Sequence, residues 1–350
     1  MSTFSNPAFD GHERVQFCHD PDTGLKAIIA VHSTALGPAA GGCRLWNYAT
    51  DDEALTDVLR LSQGMSYKNA MAGLKLGGGK AVILKAPGYR ENPALFEAFG
   101  GFVEALNGAY ITAEDVGMRV DIMEMIARRT KHVTGLPQRS GKAGGDPSPK
   151  TSWGIFKGIE AAARFKLGVE NLAGLKVAVQ GVGNVGYHLC RYLHDAGATL
   201  IVADIDAERV ARTVDEFSAS AVDLDEILFQ AVDVVAPCAL GAILDEQSIP
   251  RIKATVIAGG ANNQLRSHAD GQRLTEAGIL YAPDYVINAG GIINVASEFY
   301  GDADDDEVMQ RVAAIGPRLT AIFEEAETQS RPTNEVADEQ ARRIIAKATC

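Results

Sequence analysis

No window of this sequence approaches the ~18 consecutive apolar residues that a membrane-spanning helix needs, so no membrane partner is expected. Cysteine is scarce: Cys18, Cys43, Cys190, Cys238 and Cys350 are the five in 350 residues, with no CxxC pair. An odd count at wide spacing builds no disulfide framework and suits reduced thiols in a cytoplasm. The seven histidines form no HExxH or other ligand spacing, so no metal site is expected. Positive charge is not in excess. The formal net charge is −12, which a phosphate backbone would repel, and this argues against nucleic acid as a partner. The opening MSTFSNPAFDGHERVQF has neither a basic stretch nor an apolar core, so no signal peptide is expected.

What is there is the composition of a soluble globular protein, 46% hydrophobic and 22% charged, at a length suited to two domains. In the first half, Arg14–Cys18 and Lys26–Ser33 read as strands and Asp51–Gln63 as a helix with an acidic first turn. Ala81–Leu84 and Ala109–Thr112 read as short strands, Ala94–Leu106 and Ile122–Arg129 as helices. This half is mixed α/β. Gly135–Pro149, rich in glycine and proline, reads as an interdomain hinge. Beyond it, Val177–Gln180, Leu200–Asp204, Val232–Ala236, Thr255–Ala258 and Ile279–Ala282 alternate with helical stretches. That pattern predicts a parallel, doubly wound sheet. Asp306–Glu325, interrupted at Gly316-Pro317, and a helix after Thr333 are expected to pack back on the first domain.

Lys176–Cys190 reads KVAVQGVGNVGYHLC, an apolar strand running into Gly181-x-Gly183-x-x-Gly186 and then a helix. Gly181 allows the tight turn, Gly183 a close approach of backbone to a pyrophosphate, and Gly186 close helix–strand packing. The helix N-terminus offers amides to the phosphates. The next strand ends at Asp204, about 20 residues on, where a carboxylate accepts from the adenosine ribose and repels a 2′-phosphate. No arginine follows at once, so NAD is favoured over NADP.

Gly64–Lys80, GMSYKNAMAGLKLGGGK, holds Lys68, Lys75 and Lys80 among small and apolar neighbours. Gly77–Gly79 has no helix or strand rationale and makes sense where backbone passes close to a ligand. A lysine held in a cleft there would serve as a base. Tyr110–Gly117, YITAEDVG, ends a strand with Glu114 and Asp115 at its mouth, and a carboxylate there would exchange protons with an amine. No tyrosine has a lysine four residues on, so the Tyr-x-x-x-Lys pair is missing. Lysine plus aspartate suits chemistry at an amine or imine carbon.

These residues resemble the glutamate/leucine/phenylalanine/valine dehydrogenases, closest to the leucine dehydrogenases. The blocks LGPAAGGCR (36–44), GMSYKN (64–69), GLKLGGGK (73–80), YITAEDVG (110–117), VQGVGNVGYHLC (179–190), APCALG (236–241), AGGANNQL (258–265) and YAPDYVINAGGIINV (281–295) carry the likeness in order. The resemblance implies that Lys68 binds the substrate carboxylate with the Gly41 and Gly42 backbone, that Lys80 is the base activating water, and that Asp115 shuttles protons at nitrogen. It places Thr151, Asn262 and Asn288 around the nicotinamide, Asn184, Val185 and Ile205 along the dinucleotide, and Cys238, Ala239 and Leu240 beside the adenosine ribose. Met65, Ala113, Ile292 and Val295, with Asn262, are implied around the substrate. By the same resemblance the pocket looks like the leucine type, except that Ala40 stands, as in some phenylalanine enzymes, where leucine dehydrogenases often carry a larger leucine.

The expected architecture is therefore α/β, with two domains separated by a cleft. A substrate-binding and catalytic domain spans 1–140 and is joined by C-terminal helices 305–350. A Rossmann-type NAD-binding domain spans 141–304. The expected activity is NAD-dependent oxidative deamination of a branched-chain L-amino acid to its 2-oxo acid and ammonia, in a cytoplasmic homo-oligomer. A phenylalanine or tryptophan dehydrogenase is the alternative within the family. A non-catalytic NAD sensor is disfavoured, because it need not keep Lys68, Lys80 and Asp115 together.

Overall fold

The first expected strand runs on to Asp20 as β1 (Arg14–Asp20), antiparallel to β2 (Leu25–Ser33) through a turn at Gly24. Then comes a strand that periodicity had not indicated, β3 (Ala39–Trp46), whose core is Ala-Ala-Gly-Gly. A helix, α1 (Asp51–Met71), follows; Thr50 caps it by accepting from Glu53 N at 3.1 Å, a contact worth about 1 kcal/mol. It continues eight residues beyond the expected Gln63, through Gly64, so GMSYKN is helical. Next are β4 (Gly77–Leu84), α2 (Pro93–Glu104), β5 (Tyr110–Glu114) and α3 (Val120–Ala127). The sheet order is β1-β2-β4-β3-β5, with β3, β4 and β5 mutually parallel. One face packs on α2 and α3 through Phe96, Phe99, Tyr110 and Ile122; the other packs on α1 through Val58, Leu59 and Val82.

The structure, a computed structural model, describes residues 3–86, 88–137 and 143–348. Residues 138–142, in the middle of the expected hinge, lie outside the described residues.

The glycine run Gly77–Gly79 is a strand after all, and sterics explain it. A Cβ on Gly41 would lie 1.9 Å from the Gly79 carbonyl oxygen, and one on Gly78 would lie 2.1 Å from Ser66 N of α1. Strand and helix approach too closely here for any side chain.

Ser148–Leu167 forms α4, also unannounced by the sequence, with proline in its first turn and Gly168 closing it in the left-handed region. It leads to β6 (Lys176–Gln180), α5 (Asn184–Asp195), β7 (Thr199–Ala203), α6 (Ala207–Phe217), β8 (Ser220–Ala221), β9 (Val234–Pro237), β10 (Val256–Ile257), α7 (Asp270–Glu276), β11 (Leu280–Tyr281) and α8 (Asp284–Ile287). The order is β11-β10-β9-β6-β7-β8, all parallel. β6 has β7 on one side and β9 on the other, so the loops leaving β6 and β9 diverge, which makes the crevice where such sheets bind ligands. α9 (Gly290–Tyr300), α10 (Asp305–Ala313), α11 (Ile315–Gln329) and α12 (Thr333–Ala348) complete the chain. The interruption expected at Gly316-Pro317 falls at Ala314; Pro317 sits in the first turn of α11, where no amide is needed.

Contacts divide the chain into two units: Met1–Asp146 with Val295–Asp305 and Ala341–Cys350, and Pro147–Asn294 with Asp306–Gln340. The expectation that all of 305–350 joins the first domain is corrected. α11 packs on α4, where Gly154 and Gly158 leave room for Ile315, Leu319 and Ile287. The boundary near 304 also moves, since Val295–Asp305 belongs to the first unit; Ala296 packs there with Ala40, Leu76 and Ile111. No helix among the described residues is long and apolar enough to cross a membrane.

Candidate active site

Lys80, Asp115 and the Lys68-bearing face of α1 meet in the first unit, on the α1 side of its sheet. On β4, Gly78 abuts Ser66 of α1 and Val82 packs with Leu55, Val58 and Leu59. Lys80 lies between them and, by strand alternation, shares their face. It is only 6% exposed. Asp115 follows β5 directly and approaches β3 at Gly42, where a Cβ would stand 2.8 Å from the Asp115 Cβ. The Lys80 ammonium and Asp115 Oδ2 are in direct contact. On α1, Asp57, Met65 and Lys68 share a stripe at helical spacing. Met65 reaches within 3.1 Å of a Cβ on Gly41, and Asp57 bonds an arginine of β3, so this stripe is turned to β3.

That arginine is Arg44, which the sequence reading had not singled out. Its NH1 donates to Asp57 Oδ2 at 2.9 Å, and its Nε lies 3.5 Å from Asp115 Oδ2. Tyr48 OH donates to the same Asp57 oxygen at 2.6 Å. The signal was an arginine among the small residues of LGPAAGGCR, easily taken for a strand-end cation. Burial alone would push the Asp115 carboxyl up, but the Lys80 ammonium and Arg44 guanidinium outweigh it and hold the group below its ordinary value. Asp115 is thus ionised throughout the neutral range. Burial works against the charged form of Arg44, and Asp115 and Asp57 more than offset it.

The same geometry separates the neighbouring acids. Glu114 keeps much of its surface in solvent, but partial burial of its carboxyl, with Glu298 and Asp146 nearby, pushes that group up; Asp115 alone of the two takes Lys80. Lys75 is exposed, and its carbonyl accepts from Tyr300 OH. Ala40 is 1% exposed, packed with Leu76, Ile111 and Ala296; Ala113 is buried and Val295 half-buried. Tyr110 OH donates to the Gly41 carbonyl at 2.7 Å, which fixes the strand at that glycine. Asn262 and Ile292, expected near the substrate, belong to the second unit.

In that unit Gly181 takes φ +89° against Ala239, and a Cβ on Gly186 would lie 1.9 Å from the Gly181 carbonyl oxygen. α5 begins at Gly183 with no side-chain cap, leaving its first amides for an anion. Asn184 is exposed and Val185 half-buried on that first turn. Asp204 Oδ2 accepts from Val182 N at 2.8 Å and Oδ1 from Asp206 N at 2.9 Å, which ties the acid to the glycine turn. Ile205 and Leu240 are 88% and 65% exposed, and Ala239 and half-buried Cys238 stand beside Leu240 at the end of β9. Asn288 Nδ2 donates to Asn262 Oδ1 at 2.8 Å, and the Asn288 Oδ1 is buried with no partner. Thr151 lies against Gly291. A side-chain-free cradle, an uncapped helix end and an orphaned amide oxygen fit a dinucleotide. Among the described residues no group of three or more His, Cys, Asp or Glu is arranged to hold a metal ion.

The family comparisons agree with this geometry. The sequence model of the Glu/Leu/Phe/Val dehydrogenase dimerisation domain matches residues 12–132, and that of the Glutamate/Leucine/Phenylalanine/Valine dehydrogenases matches 202–349. The chain is 52% identical to leucine dehydrogenase of Geobacillus stearothermophilus over 95% of this chain and 90% of that one. It is 46% identical to valine dehydrogenase of Streptomyces virginiae over 97% and 95%. The crystal structure of L-tryptophan dehydrogenase from Nostoc punctiforme superposes with a TM-score of 0.86 at 44% identity, covering 97% of each chain. With a buried lysine–aspartate pair in one unit and a dinucleotide cradle in the other, the chain belongs to the Glu/Leu/Phe/Val dehydrogenase family and is an amino-acid dehydrogenase.

Proposed function

We propose that this enzyme carries out the reversible, NAD-dependent oxidative deamination of a branched-chain L-amino acid to its 2-oxo acid and ammonia. The observation that carries the reading is the buried contact of Lys80 with Asp115, beside Arg44. Lys68, on the α1 stripe turned to β3, binds the substrate carboxylate with the Gly41 and Gly42 backbone. NAD, when bound, supplies the acceptor for the hydride leaving Cα. Lys80 Nζ, as the neutral amine, takes a proton from water as that water adds to the imine carbon. Asp115 then moves protons to and from the departing nitrogen. The low-dielectric setting of Lys80 strengthens each of these interactions.

Asp204 supports NAD over NADP, since its carboxylate is held at the glycine turn where a 2′-phosphate would be repelled. Asn262, Asn288 and Thr151 hold the nicotinamide end. The apolar residues Ala40, Ala113 and Val295 of the first unit favour an aliphatic side chain. Ala40 also favours a second reading, in which larger side chains are accepted, because a methyl stands where a bigger group would narrow the pocket. One methylene is worth only ~1–3 kcal/mol, so overlapping specificity is expected. Self-association is supported by the matched dimerisation domain and by β1, an edge strand carrying Phe17 at 60% exposure.

The test is formation of reduced nicotinamide with leucine, valine, isoleucine, phenylalanine, tryptophan and glutamate in turn, with NAD and then NADP. Highest kcat/KM for the branched-chain set with NAD supports the reading. Preference for glutamate, or for NADP, overturns it.

A further inference from the structure

Lys68 is bracketed by three residues whose side chains are each tied to a different element of the same unit. Ser66 Oγ lies 2.7 Å from His32 Nδ1 of β2. His32 Nε2 is 3.5 Å from the Asp10 carboxylate, which only accepts, so Nε2 carries the hydrogen and the Ser66 hydroxyl donates to Nδ1. Tyr67 OH accepts from Arg342 Nε at 2.7 Å, in the last turns of α12. Asn69 Nδ2 donates to the Gly77 carbonyl of β4 at 2.6 Å, and the Ala40 carbonyl of β3 is 3.5 Å away. Ser66, Tyr67 and Asn69 are all buried. Ser66 is also wedged against β4, where Gly78 has no side chain to hold it off.

We propose that Ser66, Tyr67 and Asn69 are positioning residues that lock the last turn of α1 and so set where the Lys68 ammonium meets the substrate carboxylate, with His32 and Arg342 as their anchors. The proposal rests on the reading of Lys68 as the carboxylate-binding group. A turn whose Ser66, Tyr67 and Asn69 are fixed to β2, α12 and β4 cannot rotate about the helix axis independently of the sheet that carries Lys80. A long lysine stem has no rigidity of its own, and a charge-assisted bond to a carboxylate depends on placement to within about 1 Å. The sequence run Ser-Tyr-Lys-Asn thus carries one ligand-binding group and three groups that hold it.

The experiment uses full-length Tyr67→Phe and Ser66→Ala enzymes, each alone and in a Lys68→Ala background. Affinity for the 2-oxo acid of leucine is read by calorimetry with NAD present, alongside kcat and both KM values. Tyr67→Phe keeps the ring and removes only the oxygen that Arg342 holds. Each single change is expected to weaken 2-oxo acid affinity and raise the amino-acid KM about three- to ten-fold. The KM for NAD should stay put. In the Lys68→Ala background the same changes should have no further effect, because the group they place is gone. Equal losses in both backgrounds, or unchanged affinity in both single variants, overturn the proposal. If Lys68→Ala alone leaves 2-oxo acid affinity intact, the carboxylate reading itself fails, and that outcome is distinct from a positioning failure in which Lys68→Ala weakens binding and its neighbours do not.

Discussion

Replacing Arg44 with methionine tests whether Asp115 is tuned as the geometry implies. The guanidinium Nε stands 3.5 Å from Asp115 Oδ2, with side chains 25% and 20% exposed. Coulomb's law at an effective dielectric of about 20 sets a ceiling near 5 kcal/mol. Partial exposure screens this to a fraction of that ceiling. Arg44 helps hold the Asp115 carboxyl low, so removing it lets the group rise towards its ordinary value. The acid limb of the kcat/KM–pH profile should therefore move up, with the alkaline limb unmoved. Methionine keeps the apolar stem, so folding is checked by thermal unfolding in parallel. An acid limb that stays in place, or moves down, in a folded Arg44→Met enzyme refutes the reasoning.

Three further outcomes follow from particular contacts. Gly186→Ala places a methyl 1.9 Å from the Gly181 carbonyl oxygen; it should cost about 1–3 kcal/mol of stability and weaken NAD binding, read by unfolding and calorimetry. Ala40→Leu overpacks the cluster of Leu76, Ile111 and Ala296; it should lower the melting temperature and raise the leucine-to-phenylalanine ratio of kcat/KM, and an unchanged ratio would contradict the pocket assignment. Burial depresses His12 to about 4, while the unfolded chain titrates near its ordinary 6.5. Between those values the unfolded state binds the extra proton, so stability is lost as pH falls through that window, by about 3 kcal/mol at most. His12→Gln should flatten that part of the pH–stability curve.

The second unit was the more legible from sequence. Apart from the exposed edge strand β8, its strands are short, mostly buried apolar runs, and its glycine turn and Asp204 sit at the spacing of a dinucleotide fingerprint. The first unit was read less completely. β3 escaped notice because alanine and glycine carry no strand periodicity; they are strand residues here only because β3, β4 and α1 approach one another too closely for side chains. The same cause made Gly77–Gly79 look like a loop. α1 runs on past the expected Gln63, and Tyr67, Ala70 and Met71 are buried along that continuation. The lysines of Gly64–Lys80 and the Glu114–Asp115 pair stand out by residue type and company, and the resemblance selects Lys68, Lys80 and Asp115 among them, whereas Arg44 required the structure. Its role comes from Asp57, thirteen positions away on another element, and no local pattern announces that contact. The docking of α11 on α4 was equally hidden, since it depends on Gly154 and Gly158 opening one face of a helix that follows a proline-rich stretch.

The central claim is that Lys80, paired with Asp115, performs the proton chemistry of amino-acid oxidation. The most direct measurement compares Lys80→Ala with the unaltered enzyme for leucine turnover and for NAD affinity. Loss of turnover by about 10²–10⁴-fold with NAD affinity unchanged is the expected result for a deleted base. Turnover that survives the substitution, with the protein folded and NAD bound, would contradict it.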